Sequence, residues 1–231
     1  MQKEINILNQ EIWESRYERG EVVNRYPYDS VVSFVLREFG KSNRASTRIL
    51  DFGCGTGNHL AFLAQEGYDY YGIDYSSSAI RQAKLFLEDS VRIIKPGRLI
   101  HSDLIHAKFP DNYFDAVIDR QTLDQNMSST LPAIVSEIFR ILKPSGKYLG
   151  MNFSDCHPAV TFGKALGNGD YAEFTSGPFK NIGARHFFNE IELCDLFRQF
   201  AILDLKRLSM KSLIHKDLGS EEFVLIAQKN Y

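Results

Sequence analysis

Residues 47–59 read TRILDFGCGTGNH, and the order of residue types in that stretch decides the fold. Thr47 to Phe52 is a short apolar run of strand character. It leads into Gly53, Gly55 and Gly57, after which Asn58 to Glu66 carries Leu60, Leu63 and Ala64 at helical spacing, with Gly67 as a stop. Glycine permits a tight turn and lets a ligand approach the main chain, and the first turn of the following helix offers free N–H groups to a negative ligand group. Strand, glycine bend and helix in this order open a βαβ unit whose ligand lies at the carboxyl end of the strand.

The alternation continues along the chain. Tyr68 to Ile73 is a second strand, Ser76 to Leu87 a helix with serines at its start, Arg98 to His101 a third strand and Phe114 to Ile118 a fourth. Leu131 to Leu142 repeats apolar residues at three and four, and Pro144 and Gly146 in KPSGK turn the chain into a fifth strand, Lys147 to Met151. Asn189 with Glu192 resembles a capping box for a last helix carrying Leu193, Leu196, Phe197 and Phe200, and Ala201 to Leu208 and Glu222 to Ala227 are closing strands. Such an order predicts an α/β fold, a doubly wound, mostly parallel sheet with helices on both faces. Before it, Ile5, Leu8, Ile12 and Trp13 predict an amphipathic helix, and Val31, Val35 and Phe39 a second one capped by Asp29 or Ser30 and ended by Gly40. Residues 1–46 read as a helical lid on a core of 47–231. Within that core the stretch 153–185 has glycines, prolines and aromatics but no period, and is expected to form substrate contacts.

Asp74 ends the second strand at the distance where an acid accepts ribose hydroxyls, which makes the glycine bend an adenosyl-ligand site in outline. The dinucleotide fingerprint G-x-G-x-x-G does not fit, because the third glycine comes one position early and Asp51 leads the bend. A carboxylate there would repel a diphosphate but suits the ammonium and sulfonium charges of S-adenosylmethionine.

On these residues the chain resembles the class I S-adenosylmethionine-dependent methyltransferases of the small-molecule type. LDFGCGTG matches the family's first motif, YYGIDYS its second-strand acid and HSDL the segment whose acid meets adenine. FPDNYFDAVIDRQTLDQ and EIFRILKPSGKYLG resemble its fourth- and fifth-strand motifs, and RHFFNEIELCDLFRQF and EEFVLIAQK its last helix and final strands. The resemblance implies a Rossmann-like seven-stranded sheet in the order 3-2-1-4-5-7-6 with strand seven antiparallel. It also implies that Gly53, Gly55 and Gly57 floor the cofactor site, Asp51 faces the methionine end and Asp74 accepts both ribose hydroxyls. Asp103 with Leu104 would recognise adenine, and Asp119 would lie beside the sulfonium. From WESRY and the following YP, Trp13, Tyr17 and Tyr26 are the residues expected to cover the cofactor.

Methyl transfer from a sulfonium is an in-line displacement, and holding the nucleophile and methyl aligned in a dry site supplies much of the rate. A base is optional; for an alcohol acceptor it contributes roughly 100- to 10,000-fold. His157 is the first candidate because it follows the fifth strand, at the ligand-binding edge of such sheets, and Asp119 and Asp124 compete with it. The bland alternatives are a surface-loop histidine, and for Asp124 an acid that solvates the loop or caps the following helix. His59 reads as a packing or capping residue, His186 as an element end that could face the cleft, and His101, His106 and His215 have no partner visible in the sequence.

The 231 residues carry 27 Lys and Arg against 29 Asp and Glu, a net charge of −2, which removes the general phosphate attraction of a nucleic-acid-binding protein. Three widely spaced cysteines form neither a zinc knuckle nor a disulfide framework and fit a reducing cytoplasm, and no apolar run is long enough to span a bilayer. The expectation is a cytoplasmic enzyme that methylates an oxygen or nitrogen of a small metabolite, with no metal and no membrane partner. The alternatives are a protein or RNA methyltransferase and a non-catalytic cofactor-binding protein.

Overall fold

The computed structural model describes residues 2–91, 95–214 and 219–230; His215 lies outside them. The glycine bend follows β1 (Arg48–Phe52), which pairs in parallel with β2 (Asp69–Asp74) on one side and β4 (Phe114–Arg120) on the other. β3 (Leu99–His101), β5 (Leu142–Phe153), β9 (Phe200–Lys211) and β10 (Gly219–Lys229) complete a seven-stranded sheet in the order β3-β2-β1-β4-β5-β10-β9. β10 runs antiparallel to both neighbours, so order and direction are those the resemblance implies. The KPSGK turn appears as an irregularity inside β5, whose register jumps from Phe114↔Leu142 to Ala116↔Lys147.

Alternate residues of the strands feed two cores. Ile49, Ala116, Ile118 and Leu149 pack under α2 (Asp29–Phe39), α3 (Asn58–Gln65) and α4 (Ser77–Ser90). Leu50, Phe52, Val117 and Tyr148 pack on the other face under α5 (Leu131–Ile141) and α6 (Glu190–Leu196). The period of two along the strands thus buries both faces, as a parallel sheet requires. Ser76 caps α4 by accepting the Ala79 N–H, and Asn189 caps α6 by accepting the Glu192 N–H. α6 is shorter than its apolar pattern suggests: Phe197 closes it and Phe200 already belongs to β9.

The segment 1–46 divides in two. α2 belongs to the core layer, because Val31, Phe34 and Val35 are buried against the sheet, and its N-cap is Tyr28, with no side-chain cap from Asp29 or Ser30. α1 (Gln2–Glu18) lies across the carboxyl edge; of the expected apolar stripe Ile5, Ile12 and Trp13 are half-buried and Leu8 is not, and polar groups add to the attachment. Leu8 is 53% exposed, whereas Asn9 is buried and exchanges hydrogen bonds with the main chain of Ala184 and Gln125. Glu14 accepts from the Ser76, Ser77 and Ser78 hydroxyls at the N-terminus of α4, where the helix dipole favours an acid.

The stretch 153–185 is more ordered than its lack of period predicts. β6 (Lys164–Gly167), β7 (Asp170–Ala172) and β8 (Arg185–His186) form a small antiparallel sheet beside a cluster of Phe153, Phe174, Phe179 and Phe187. His186 ties this insertion to α6: its Nδ1 is 2.8 Å from Asp170 Oδ1 and its Nε2 3.0 Å from Glu192 Oε1. Burial alone would lower its pKa, but the two carboxylates outweigh it and push the value from 6.5 up to about 9. A pKa raised on folding stabilises the protein in full below 6.5, and the contribution is lost as pH rises through about 9. The melting-temperature difference between wild type and His186→Gln is therefore expected to be largest near about pH 6 and to shrink by about pH 10. A difference independent of pH would mean that the ring is never charged.

Candidate active site

Over the carboxyl ends of β1, β2 and β4 lie two adjoining cavities of about 160 and 170 Å³, which share Gly53, Asp74, Tyr75, Thr122 and Gln125. The first is flanked by Phe52, Ile73, Leu104 and Ile134, an apolar slot with Ser102 and Asp103 at its polar side. The second is walled by Trp13, Tyr17 and Tyr28 and by the charged side chains Arg120 and Arg185. Together they form a cleft with one flat apolar end and one polar end.

The glycine bend forms the divider. Gly53, Gly55 and Gly57 have φ of 73°, 50° and 86°, the left-handed region that L side chains avoid. A Cβ on Gly53 would lie 2.0 Å from Thr122 Oγ1, whose hydroxyl donates to the Phe52 carbonyl, and one on Gly55 would lie 2.8 Å from the Tyr17 hydroxyl. Gly53 and Gly55 line the cleft, while Gly57 begins α3 behind it.

Asp74 is buried and faces both cavities. One of its oxygens accepts the Gly55 N–H at 3.0 Å and the other the Ser76 N–H at 2.9 Å. Burial raises its pKa to about 6, the charges of Asp51 and Glu14 add to the rise, and the two N–H donors oppose it. Asp103 and Leu104 both line the apolar cavity, but the Asp103 carboxylate is engaged by His106, whose Nδ1 is 2.7 Å from Oδ2. Asp51 lies beneath the bend: its Oδ1 is 3.2 Å from His59 Nδ1, its Oδ2 has no partner among the described residues, and His59 separates it from the cavity. His59, read from sequence as packing, instead lines the second cavity, with its buried Nε2 unpartnered.

Of the residues expected to cover the site, Trp13 and Tyr17 line it and Tyr26 does not. The Tyr26 side chain is 79% exposed because its carbonyl, accepting from Asn58 Nδ2, is the group turned inward. Tyr28, two residues on, takes its place against His59 and Arg120.

The three base candidates are all occupied elsewhere. His157 lines neither cavity; its Nδ1 accepts the Ala159 N–H and its ring is buried among Phe153, Phe179 and Phe187, where burial lowers its pKa to about 4. Asp119 is fully buried: Oδ1 accepts the Thr122 and Leu123 N–H groups, and Oδ2 accepts the Tyr148 hydroxyl at 2.8 Å. Its pKa rises to about 7 through burial, against the pull of these bonds. Asp124 is also fully buried, accepting the Phe153 N–H and Arg185 Nη1. Both aspartates shape the 119–125 turn that carries Thr122 and Gln125 into the cleft, and neither faces it.

The residues that sequence reasoning missed are Tyr28, His59, Tyr75, Arg120 and Arg185. Tyr75 and Arg120 stand at the carboxyl ends of β2 and β4, a position that could have flagged them. Arg185 reaches the cleft only through the fold of the insertion.

The methyltransferase domain family matches residues 50–150, which hold the glycine bend, Asp74 and the 119–125 turn. Residues 50–150 carry a methyltransferase domain, on a sheet of the class I strand order. The chain is 29% identical over 113 residues to the demethylmenaquinone methyltransferase of Beutenbergia cavernae, covering 48% of this chain and 42% of the relative. The chain spans about half the length, 58% and 42%, of two curated relatives that it matches. In fold, the chain resembles the 1,6-didemethyltoxoflavin-N1-methyltransferase of Burkholderia thailandensis, solved with bound 1,6-didemethyltoxoflavin and S-adenosylhomocysteine (TM-score 0.73, 17% identity, 100% of this chain and 91% of that one). It also resembles the magnesium protoporphyrin IX methyltransferase of Synechocystis, solved with S-adenosylhomocysteine (TM-score 0.71, 16% identity, 98% and 100%).

Gly53→Ala is expected to lower stability toward urea by about 1–3 kcal/mol, since it combines left-handed strain with the clash at Thr122. Gly67→Ala, at φ +85° but with nothing within 4 Å, is expected to lose only the strain, about 1 kcal/mol. Equal losses at both sites would show that the domain's bend is not crowded.

Proposed function

We propose that this chain transfers a methyl group from S-adenosylmethionine to an oxygen or nitrogen of a small-molecule acceptor. The observation that carries the reading is the placement of Asp74, whose carboxylate divides an apolar, base-sized slot from a polar one and keeps spare lone pairs toward both. The residues fit the group. Asp74 would take the ribose hydroxyls, Leu104, Ile134 and Asp103 the adenine, and the bend at Gly53 and Gly55 the methionine end. The unpartnered Nε2 of His59 and the N-terminus of α3 suit its carboxylate, and the buried charge of Asp51 adds negative potential for its cations.

The cofactor, when bound, supplies a methyl group already activated on a sulfonium. The chain supplies alignment and dryness. Trp13 and Tyr17 on α1 and Tyr28 at the end of the 24–28 strap cover the polar cavity as a lid, and the strap is tied down where Asn24 and Tyr26 carbonyls accept from Thr56 and Asn58. With His157, Asp119 and Asp124 turned away, no step depends on a base from among them.

The small acceptor is supported by the covered cleft and by relatives named for small substrates, a demethylmenaquinone and a sterol methyltransferase. No helix among the described residues is long and apolar enough to cross a membrane. Three unpaired cysteines support the cytoplasm as the proposed compartment.

Isothermal titration with S-adenosylhomocysteine is expected to show binding by the wild type and a loss of roughly tenfold or more in Asp74→Ala, because the ribose hydroxyls lose a charged acceptor. A wild type that does not bind ends the proposal. With tritiated cofactor, label should enter small molecules; label in protein or RNA would make the acceptor macromolecular, and binding without any transfer would leave a cofactor-binding protein.

A further inference from the structure

We propose that the acceptor carries an anionic group, a carboxylate or a phosphate, held by Arg120 and Arg185 in the second cavity; this rests on the methyltransferase reading above. The two side chains come from distant parts of the chain, β4 and β8, yet they line one cavity. They are nearly enclosed, with side chains 15% and 5% exposed. The positive charges of both act on Asp124 and counter the burial that raises its pKa.

Each guanidinium presents five N–H donors. Among the described residues, the bond from Arg185 Nη1 to Asp124 at 3.1 Å is the one hydrogen bond that either makes. Arg120 Nη1 stands 3.5 Å from Glu222 Oε2, a carboxylate that already accepts from Gln121. The Nε of both arginines and Nη1 of Arg120 are buried without a partner. Two guanidinium groups that line one cavity and together make a single hydrogen bond among the described residues have donors to offer ligand oxygens.

Neither arginine is free to turn away. The Arg185 guanidinium carbon lies 5.4 Å from the Trp13 ring centre and 5.1 Å from that of Phe179, and the Arg120 carbon lies 4.4 Å over Tyr28. Flat guanidinium forks fixed against aromatic faces match the paired oxygens of a carboxylate or phosphate. The cofactor brings one carboxylate, and His59 Nε2 with the first turn of α3 already offers it a place. The two arginines are therefore left for the acceptor, and the anion they hold is an anchor, distinct from the atom that is methylated.

The test incubates the protein with S-[methyl-³H]adenosylmethionine and the small-molecule fraction of a source-cell extract, then separates the products on an anion exchanger near about pH 7. Wild type should place the label in the bound fraction, and alkaline phosphatase should release it if the anchor is a phosphate ester and leave it bound if it is a carboxylate. Arg120→Gln should reduce transfer roughly 30-fold or more while its affinity for S-adenosylhomocysteine stays within about threefold of wild type. Arg185→Lys keeps the charge against Asp124 but loses the fork, and should reduce transfer while melting near the wild-type temperature.

The proposal is overturned by label in the unbound fraction, by label released as methanol in base, or by label found only in macromolecules. It is equally overturned if Arg120→Gln loses S-adenosylhomocysteine binding together with transfer, for then the guanidinium serves the cofactor. A wild type that binds no S-adenosylhomocysteine refutes the methyltransferase reading itself, so the two failures are distinct.

Discussion

One carboxylate fastens the glycine bend to the neighbouring strand. Asp74 accepts the Gly55 N–H and the Ser76 N–H, one on each oxygen, and so fixes the loop after β1 against the turn that opens α4. The arrangement is expensive for the acid, whose burial and negative neighbours raise its pKa to about 6. Two main-chain donors offset part of that rise, and each oxygen, with one N–H accepted, has capacity for a further donor. The Gly53 and Cys54 N–H groups add bonds to the Ile73 carbonyl, and Asp74 is the charged member of the wall that the two cavities share with Gly53, Tyr75, Thr122 and Gln125.

The cover over the cleft is held by a different kind of force. α1 buries Tyr17 but joins neither core under the sheet, and its polar ties run through Asn9 and Glu14, the first to main-chain groups of the 119–125 turn and the insertion, the second to the serines of α4. Hydrogen bonds at such an interface exchange with water at small net free energy, so an element held this way opens more readily than one seated on a core. α2, from the same N-terminal segment, is the contrasting case: Val31, Phe34 and Val35 anchor it in the sheet's core. A cleft between a rigid sheet and a polar-tethered helix can admit a ligand and then exclude water around it.

Buried acids that resemble catalytic groups in the sequence act here as framework. Asp119 gathers Thr122, Leu123 and Tyr148, and Asp124 joins the end of β5 to Arg185. Their chemistry is positional: they fold the turn after β4 so that Thr122 and Gln125 reach the cleft and Arg185 is steadied at its wall. That division of labour suits a displacement in which alignment, and not proton abstraction, supplies much of the rate.

The sequence by itself determined the sheet, its strand order through the resemblance, the glycine bend and the acid at Asp74. These depend on local chemistry: a period of two or of three to four, a turn that only glycine enters easily, a residue at the end of a strand. Tertiary structure alone decided which side chains face the cleft. Tyr26 and Tyr28 are two residues apart and equally aromatic, yet only the packing of α2 and the strap turns one outward and the other inward. His59 lines the cleft and His157 does not, because a ring's placement depends on what else engages its nitrogen, the Asp51 carboxylate in one case and an Ala159 N–H in the other. Arg120 and Arg185 lie 65 positions apart in the sequence and meet at one cavity because the insertion folds back over the sheet edge, a long-range contact that no local pattern encodes.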